Sequence, residues 1–480
     1  MHDLTVIGDD LSAHTAAAVA ANYGLDTILM AEYGTGGVCL FGDFAFNVDP
    51  TPLNGLGVNQ TCLSLLAELD IQPIEREGRL LNPAYQIILP EHRIDFFNEK
   101  EALISEMFRE FPREAKEISI FYESVIKECA VFSQWLRNHP YIRPLSLKDC
   151  YHYFKLLPHL LRHQADNARF KNLLKHNAAL NKIFEAQEAL LASNIGHQNS
   201  FSSSFQYCAP FRGIYRFPQG KQIIFNSLIE KLEANKGLYL SHCKILSIKT
   251  REKAVEIEVN DRTGNTTVIS SKNLIVSTKW EKMVLLFAGK PMNLGDWISP
   301  VKVLYLPFTI HLGCARKCVP EKMAYHLALV SDIQKNIFDD NLIILESNMP
   351  DNESIYPSDK LSMTATVFLP NNPQAWSREN LEVTASSILA RMEFFLPFLK
   401  ENIELFDLDK SIELSKTSRS VFSPKYKINN SLISCFAART NKTRFNNVFL
   451  TGGSLLTDAG FEGEIISGMN AAARVIAGGV

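Results

Sequence analysis

The chain has 480 residues, 46% of them hydrophobic, and a formal net charge of -3, enough apolar material for a large core in two or three domains or one domain with a long insertion. Near-neutral charge without a basic block excludes a nucleic-acid binder, and no run of about 20 apolar residues could span a membrane. Nine thinly spread cysteines favour reduced thiols, and the N-terminus opens on a strand rather than a secretory leader, so a cytoplasmic protein is expected.

The first 32 residues carry the strongest local signal. Leu4 to Ile7 is a short apolar run, Ala13 to Tyr23 an Ala-rich helix closed by Gly24, and Thr27 to Ala31 a second apolar run ending at Glu32. That is a βαβ unit, whose first turn can lie against a dinucleotide pyrophosphate and whose distal carboxylate can accept from ribose hydroxyls. In the turn, Gly8 and Ala13 stand at the first and third positions of a Gly-x-Gly-x-x-Gly/Ala motif, but Asp10 takes the second. A carboxylate about 4 Å from another anion is repelled by roughly 1 kcal/mol in water and by several where partly buried. A βαβ unit without a nucleotide therefore stays open as an alternative.

After Glu32 come Gly36 and Gly37, then Gly55 and Gly57, which permit close backbone approach or form two ordinary turns. Gln60 to Leu69 reads as a helix and Ile71 to Ile94 as short extended pieces. From Asn98 to Leu191 the apolar residues recur with helical period, giving a helical insertion. Within it Tyr151 to His163 mixes aromatics, aliphatics, Lys155, Arg162 and three histidines. The expectation is a buried helix face with solvated histidines; the alternative is a helix resting on a membrane or forming the mouth of an apolar tunnel. Ser193 to Ser204 reads as a polar linker or mobile loop.

Gly213-Ile-Tyr-Arg-Phe-Pro-Gln-Gly220 precedes a helix from Gln222 to Leu232. Strand patterns follow at Leu238 to Leu240, Lys244 to Lys249, Ala254 to Val259 and Thr266 to Ser270, then a separate buried strand from Asn273 to Lys279 leads into a helix at Trp280 to Ala288. Pro300 to Leu312, Asn341 to Glu346 and Leu361 to Leu369 alternate as sheet strands. Ser377 caps a helix to Phe395, and Pro397 is expected to start another to Ile403. Asn446 to Ser454 reads as a strand ending in glycines, and Gly460 opens a long small-residue helix. Cys314 and Cys318 lack a second pair or a histidine couplet, so no metal is expected.

These blocks resemble the flavin-dependent amine oxidase superfamily, and within it the phytoene desaturase branch. The resemblance rests on residues 1 to about 70, 213 to about 290 and 446 to 480. Gly8, Ala13 and Glu32 match the dinucleotide turn and ribose acid, and Gly36 and Gly37 the Gly-Gly after it. Val48-Asp-Pro stands for an aromatic-Asp-x-Gly segment. Gly213, Pro218 and Gly220 match a Gly-x-x-x-Pro-x-Gly-Gly turn whose last glycine is Lys221. Ile245 lies in the strand beside the adenine, and Gly452, Gly460, Gly463 and Gly468 match the closing motif beside the flavin, where Gly453 replaces an acid.

The resemblance implies an α/β fold with a Rossmann-like FAD-binding domain in three parts (residues 1–97, 201–290 and 441–480), a helical insertion (98–200) and a mixed-sheet substrate domain (291–440). It implies an FAD-dependent oxidoreductase taking hydride from a small apolar or amine substrate, with Lys302 as the candidate catalytic lysine. A solvated strand lysine is the favoured reading of Lys302. The same fold without flavin occurs in Rab GDP-dissociation inhibitors and escort proteins, so a module that binds a lipid or a prenylated partner, with peripheral membrane association, is the alternative.

Overall fold

The computed structural model describes residues 1–33, 37–72, 77–138, 147–195, 201–279, 301–348, 359–417, 424–428, 441–443, 445–456 and 459–478. The chain opens as β1 (His2–Ile7), α1 (Leu11–Asn22) and β2 (Thr27–Ala31). Small side chains let α1 lie buried from Leu11 to Ala21, and Gly24, with φ +84°, ends it by leaving the helical region. The hairpin β3 (Val38–Phe41) and β4 (Phe44–Asn47), the helix α2 (Thr61–Glu68) and the hairpin β5 (Tyr85–Ile88) and β6 (Arg93–Phe96) follow.

The insertion is helical as expected: α3 (Lys100–Glu110), α4 (Ala115–Asn138), α5 (Leu147–His176) and α6 (Ala178–Leu191). Two expectations fail there. On α5, Tyr151, Phe154, Leu157 and Leu161 are exposed, while His163 is buried and its Nδ1 lies 2.8 Å from the Glu128 carboxylate. The apolar face of this stretch thus points outward and one of its histidines inward. The Ser-rich stretch is also not a solvated loop over its described part, because Ser193 and Ser202 to Ser204 are buried. Small hydroxyl residues fit there because Phe205 and Tyr207 enter the core beside them.

Next come α7 (Gln222–Ala234), β7 (Leu238–Ser241), β8 (Lys244–Thr250), β9 (Val255–Asn260) and β10 (Thr266–Ser277). Where two strands were expected, β10 is continuous. Its first half pairs antiparallel with β9, and its second half pairs parallel with β1. The expected helix at Trp280 to Ala288 lies outside the described residues.

The remaining elements are β11 (Val301–Ala315), β12 (His326–Val330), β13 (Leu342–Asn348), β14 (Lys360–Pro370), α8 (Arg378–Phe395), β15 (Ile403–Phe406), α9 (Leu408–Thr417), β16 (Lys425–Ile428), β17 (Val448–Thr451) and α10 (Gly460–Gly478). Ser377 caps α8 as expected, accepting from the Asn380 N–H. The helix expected from Pro397 is instead a single turn at Lys400–Asn402 and the edge strand β15. Pairing of Leu312 with Phe406 along β11 outweighs the weak helical pattern there.

Two sheets organise the molecule. The first runs β7-β2-β1-β10-β9-β8, with β17 parallel to β10; the second runs β15-β11-β14-β13-β12-β5-β6, with β16 on β11. One core surrounds α1, with Leu65, Phe225, Phe461 and Ile465. A second lies between the insertion and the second sheet, and a third beneath α8. α10 crosses α1 where a Cβ on Gly468 would lie 2.3 Å from the Ser12 carbonyl oxygen. Only glycine permits that approach.

Candidate functional site

In a sheet of this kind, ligands lie in the crevice beyond the carboxyl ends of the parallel strands, here the ends of β1, β2, β10 and β17. Gly8 closes β1, and a Cβ there would lie 2.5 Å from Ser277 Cβ and 2.9 Å from Ala13 Cβ. Asp10 is the cap of α1. Its Oδ1 accepts from the Ala13 N–H (3.3 Å) and its Oδ2 from the Ser12 hydroxyl (2.9 Å). The carboxylate thus occupies the helix N-terminus, where an anionic ligand would otherwise bind. Glu32, just past β2, accepts from the Ile245 N–H (3.1 Å), so the expected ribose acid and adenine strand meet.

The closing segment joins them. The Gly452 N–H donates to the Ser467 hydroxyl (3.0 Å), and a Cβ on Gly463 would meet the Leu456 carbonyl. A Cβ on Gly453 would lie 3.2 Å from Glu464 Cγ. Glu464 of the next helix thus packs against position 453. Gly37 packs against Gln222 at the start of α7, and Gly36 lies outside the described residues. Lys302 stands opposite Lys427 in the second sheet; its side chain lies outside the described residues.

Sequence reasoning missed how the departures pair off. Lys221, in place of a turn glycine, forms a buried ion pair with Asp49, and Lys279 at the end of β10 forms one with Glu464. Arg212 pairs with Glu462, donates to the Ser133 hydroxyl (2.8 Å) and lies 4.0 Å over the Phe205 ring. Burial pushes the Asp49 carboxyl up, but Lys221 and Lys279 hold it below the usual carboxylate range. Burial likewise opposes the charge on Lys279, yet Glu464, Asp10 and Asp49 hold it above the ordinary lysine value. The signal was a charged residue directly after a motif glycine, as at Gly220-Lys221 and Gly463-Glu464.

Behind Asp49 lies a second group, in the sheet of β11 to β16. Lys425 is buried, donates to the Ala189 carbonyl (2.6 Å) and to the Ala192 carbonyl, and sits 4.6 Å over the Phe368 ring. Burial brings its ammonium down to about 7, against the pull of Glu188 and Asp49. It lines a cavity of about 40 Å³ with Asp49, Thr51, Pro307, Thr366 and Gly460, room for a few water molecules. Glu346 is lifted by burial to about 7 despite hydrogen bonds from Asn47 (2.8 Å) and Tyr325. Groups with such values can give or take a proton near neutrality. No motif marks Lys425, which stands in a short alternating strand.

At the adenosine end of the crevice the donor set suits FAD: Glu32 would hold the ribose and the Ile245 backbone would border the adenine, and the two already meet at 3.1 Å. At the pyrophosphate end the fit requires an exchange of partners, in which Asp10 leaves the α1 N-terminus and Glu464 releases Lys279. The cap is worth about 1 kcal/mol, and a nanomolar ligand binds with about 12 kcal/mol. The exchange, which breaks the buried Lys279–Glu464 pair as well as the cap, therefore weakens binding.

No family profile and no curated protein sequence matches the chain. Solved structures do match over nearly the whole length. Putrescine oxidase bound to putrescine superimposes with a TM-score of 0.61 at 13% identity, covering 99% of both chains. An oxidoreductase from Methanosarcina mazei gives 0.60 at 14% identity, covering 98% of this chain and 100% of that one. A protein from Pyrococcus furiosus gives 0.58 at 12% identity, covering 99% and 97%. The fold is that shared by putrescine oxidase and the Methanosarcina mazei oxidoreductase.

Proposed function

We propose that the chain is an oxidoreductase of the amine oxidase type that uses FAD to oxidise a small apolar or amine substrate; the desaturase-like branch is part of this proposal. The observation that carries it is the full-length likeness to putrescine oxidase and to the Methanosarcina mazei oxidoreductase, with neither sheet missing. Glu32 holds the ribose, the Ile245 backbone borders the adenine, and the α1 N–H groups with Lys279 receive the pyrophosphate. FAD, when bound, supplies the acceptor for hydride. Lys425 holds or accepts a proton at Nζ beside the cavity. It is a better-supported candidate than Lys302, because its ammonium is buried among carbonyls.

A second reading is favoured by Asp10 and Glu464: the scaffold without flavin, holding a lipid or protein partner. One experiment separates the two. Purified protein titrated with FAD is expected to gain saturable absorbance near roughly 450 nm and quenched flavin fluorescence. Protein that is colourless as purified and shows no saturable FAD binding overturns the oxidoreductase reading in favour of the second.

A further inference from the structure

The exposed face of α5 is unlike the rest of the insertion. Tyr151, Phe154, Leu157 and Leu161 are 59%, 70%, 46% and 59% exposed. Their spacing of three, three and four residues places them in one row along the helix. The buried side is a different row, Leu156, His163 and Phe170, seven apart and facing α4. Beside the apolar row runs a third, the exposed cations Lys155, Arg162 and Arg169, also seven apart. No acid occurs between Tyr151 and Ala165; the first is Asp166, 3.8 Å from Arg162.

We propose that this face of α5 lies on an anionic lipid surface, its apolar row sunk to the level of the headgroups and its cations against their phosphates. The geometry is that of an interfacial helix, with aromatic and aliphatic side chains on one stripe and basic residues along its edge. Charge complementarity selects anionic over neutral lipid, since the stripe is bordered by three cations and one acid. A second copy of the chain is a poorer occupant. The four side chains expose roughly 400 Å², about half of what each partner contributes to a stable protein interface. Among the described residues no helix is long and apolar enough to cross a membrane, so the contact is with the surface. The inference is independent of whether flavin binds.

The test uses the full chain in flotation with vesicles of phosphatidylcholine alone or mixed with phosphatidylglycerol, at low and high salt. Flotation is expected with the mixed vesicles at low salt, with at least a tenfold loss in high salt or on pure phosphatidylcholine. The double variant Phe154→Glu/Leu161→Glu is expected to stay in solution with unchanged circular dichroism and melting temperature. If that variant fails to fold, Lys155→Glu/Arg169→Glu on the same exposed face is expected to lose the phosphatidylglycerol dependence. Absence of flotation by the unaltered chain, equal flotation by a folded variant, or a dimer that the double variant dissolves without any vesicle binding would overturn the proposal.

Discussion

The dinucleotide crevice and the second sheet both bury charged side chains, but they handle them in opposite ways. In the crevice three buried cations have ionic partners: Lys221 with Asp49, Lys279 with Glu464 and Arg212 with Glu462. In the second sheet the partners are neutral. Lys425 is held by two carbonyls, and Glu346 by an amide and a phenol. Pairing makes the first set structural, with the Asp49 carboxyl held below and the Lys279 ammonium above their ordinary values. Burial among neutral partners brings both members of the second set to about 7, where a proton can move.

Breaking a pair in the crevice should have the largest effect. Arg212→Met strands the Glu462 carboxylate and should cost about 3–5 kcal/mol of stability, read as a lower urea midpoint. Removing Lys425 should act differently, because the folded chain binds its proton less tightly than the unfolded chain does. Stability of the unaltered protein should rise with pH from about 7 towards the ordinary lysine value, since the unfolded state then holds more protons. Lys425→Met should therefore be on the order of 2 kcal/mol more stable at pH 6, with the advantage gone or reversed by about pH 10 once only the orphaned carbonyls count.

Asp10→Gly sharpens the comparison from the ligand side. It should cost a few tenths of a kcal/mol in the α1 cap and raise FAD affinity about fivefold by removing a like charge. An unchanged titration would mean that Asp10 does not oppose the pyrophosphate. At pH 5 the smallest effect on stability is expected from Glu346→Gln. The raised value of Glu346 means that the folded state holds the extra proton, so stability falls as pH rises from the ordinary glutamate value to about 7. The variant should lose that slope and match the original within about 0.5 kcal/mol at pH 5.

The parts of this fold legible in the residues are those where backbone geometry dictates composition. Gly8, Gly468 and the alanines of α1 are required by close approach, and the resulting pattern survives wherever the elements pack this way. Glu32 and Ile245 were named from motif spacing and resemblance, and the fold brings the two together. Partnerships over long sequence distance were not legible, because a lone Lys279 or Glu464 looks like any charge until folding sets the two side by side. Lys425 had no pattern at all. The outward row on α5 was misread because a buried and an exposed apolar stripe have the same helical period. The split of β10 into two strands was an error of the same kind, since antiparallel and parallel halves differ in partner and not in pattern.

The contact between α1 and α10 has a consequence for how the protein is made. Helix α1 is enclosed by its own sheet, α7 and α10, so residues made early are covered by residues made much later. A ribosome must emit more than 450 residues before Gly468 can reach Ser12. Until then the nascent alanine-rich segment stays partly unshielded and open to chaperone capture.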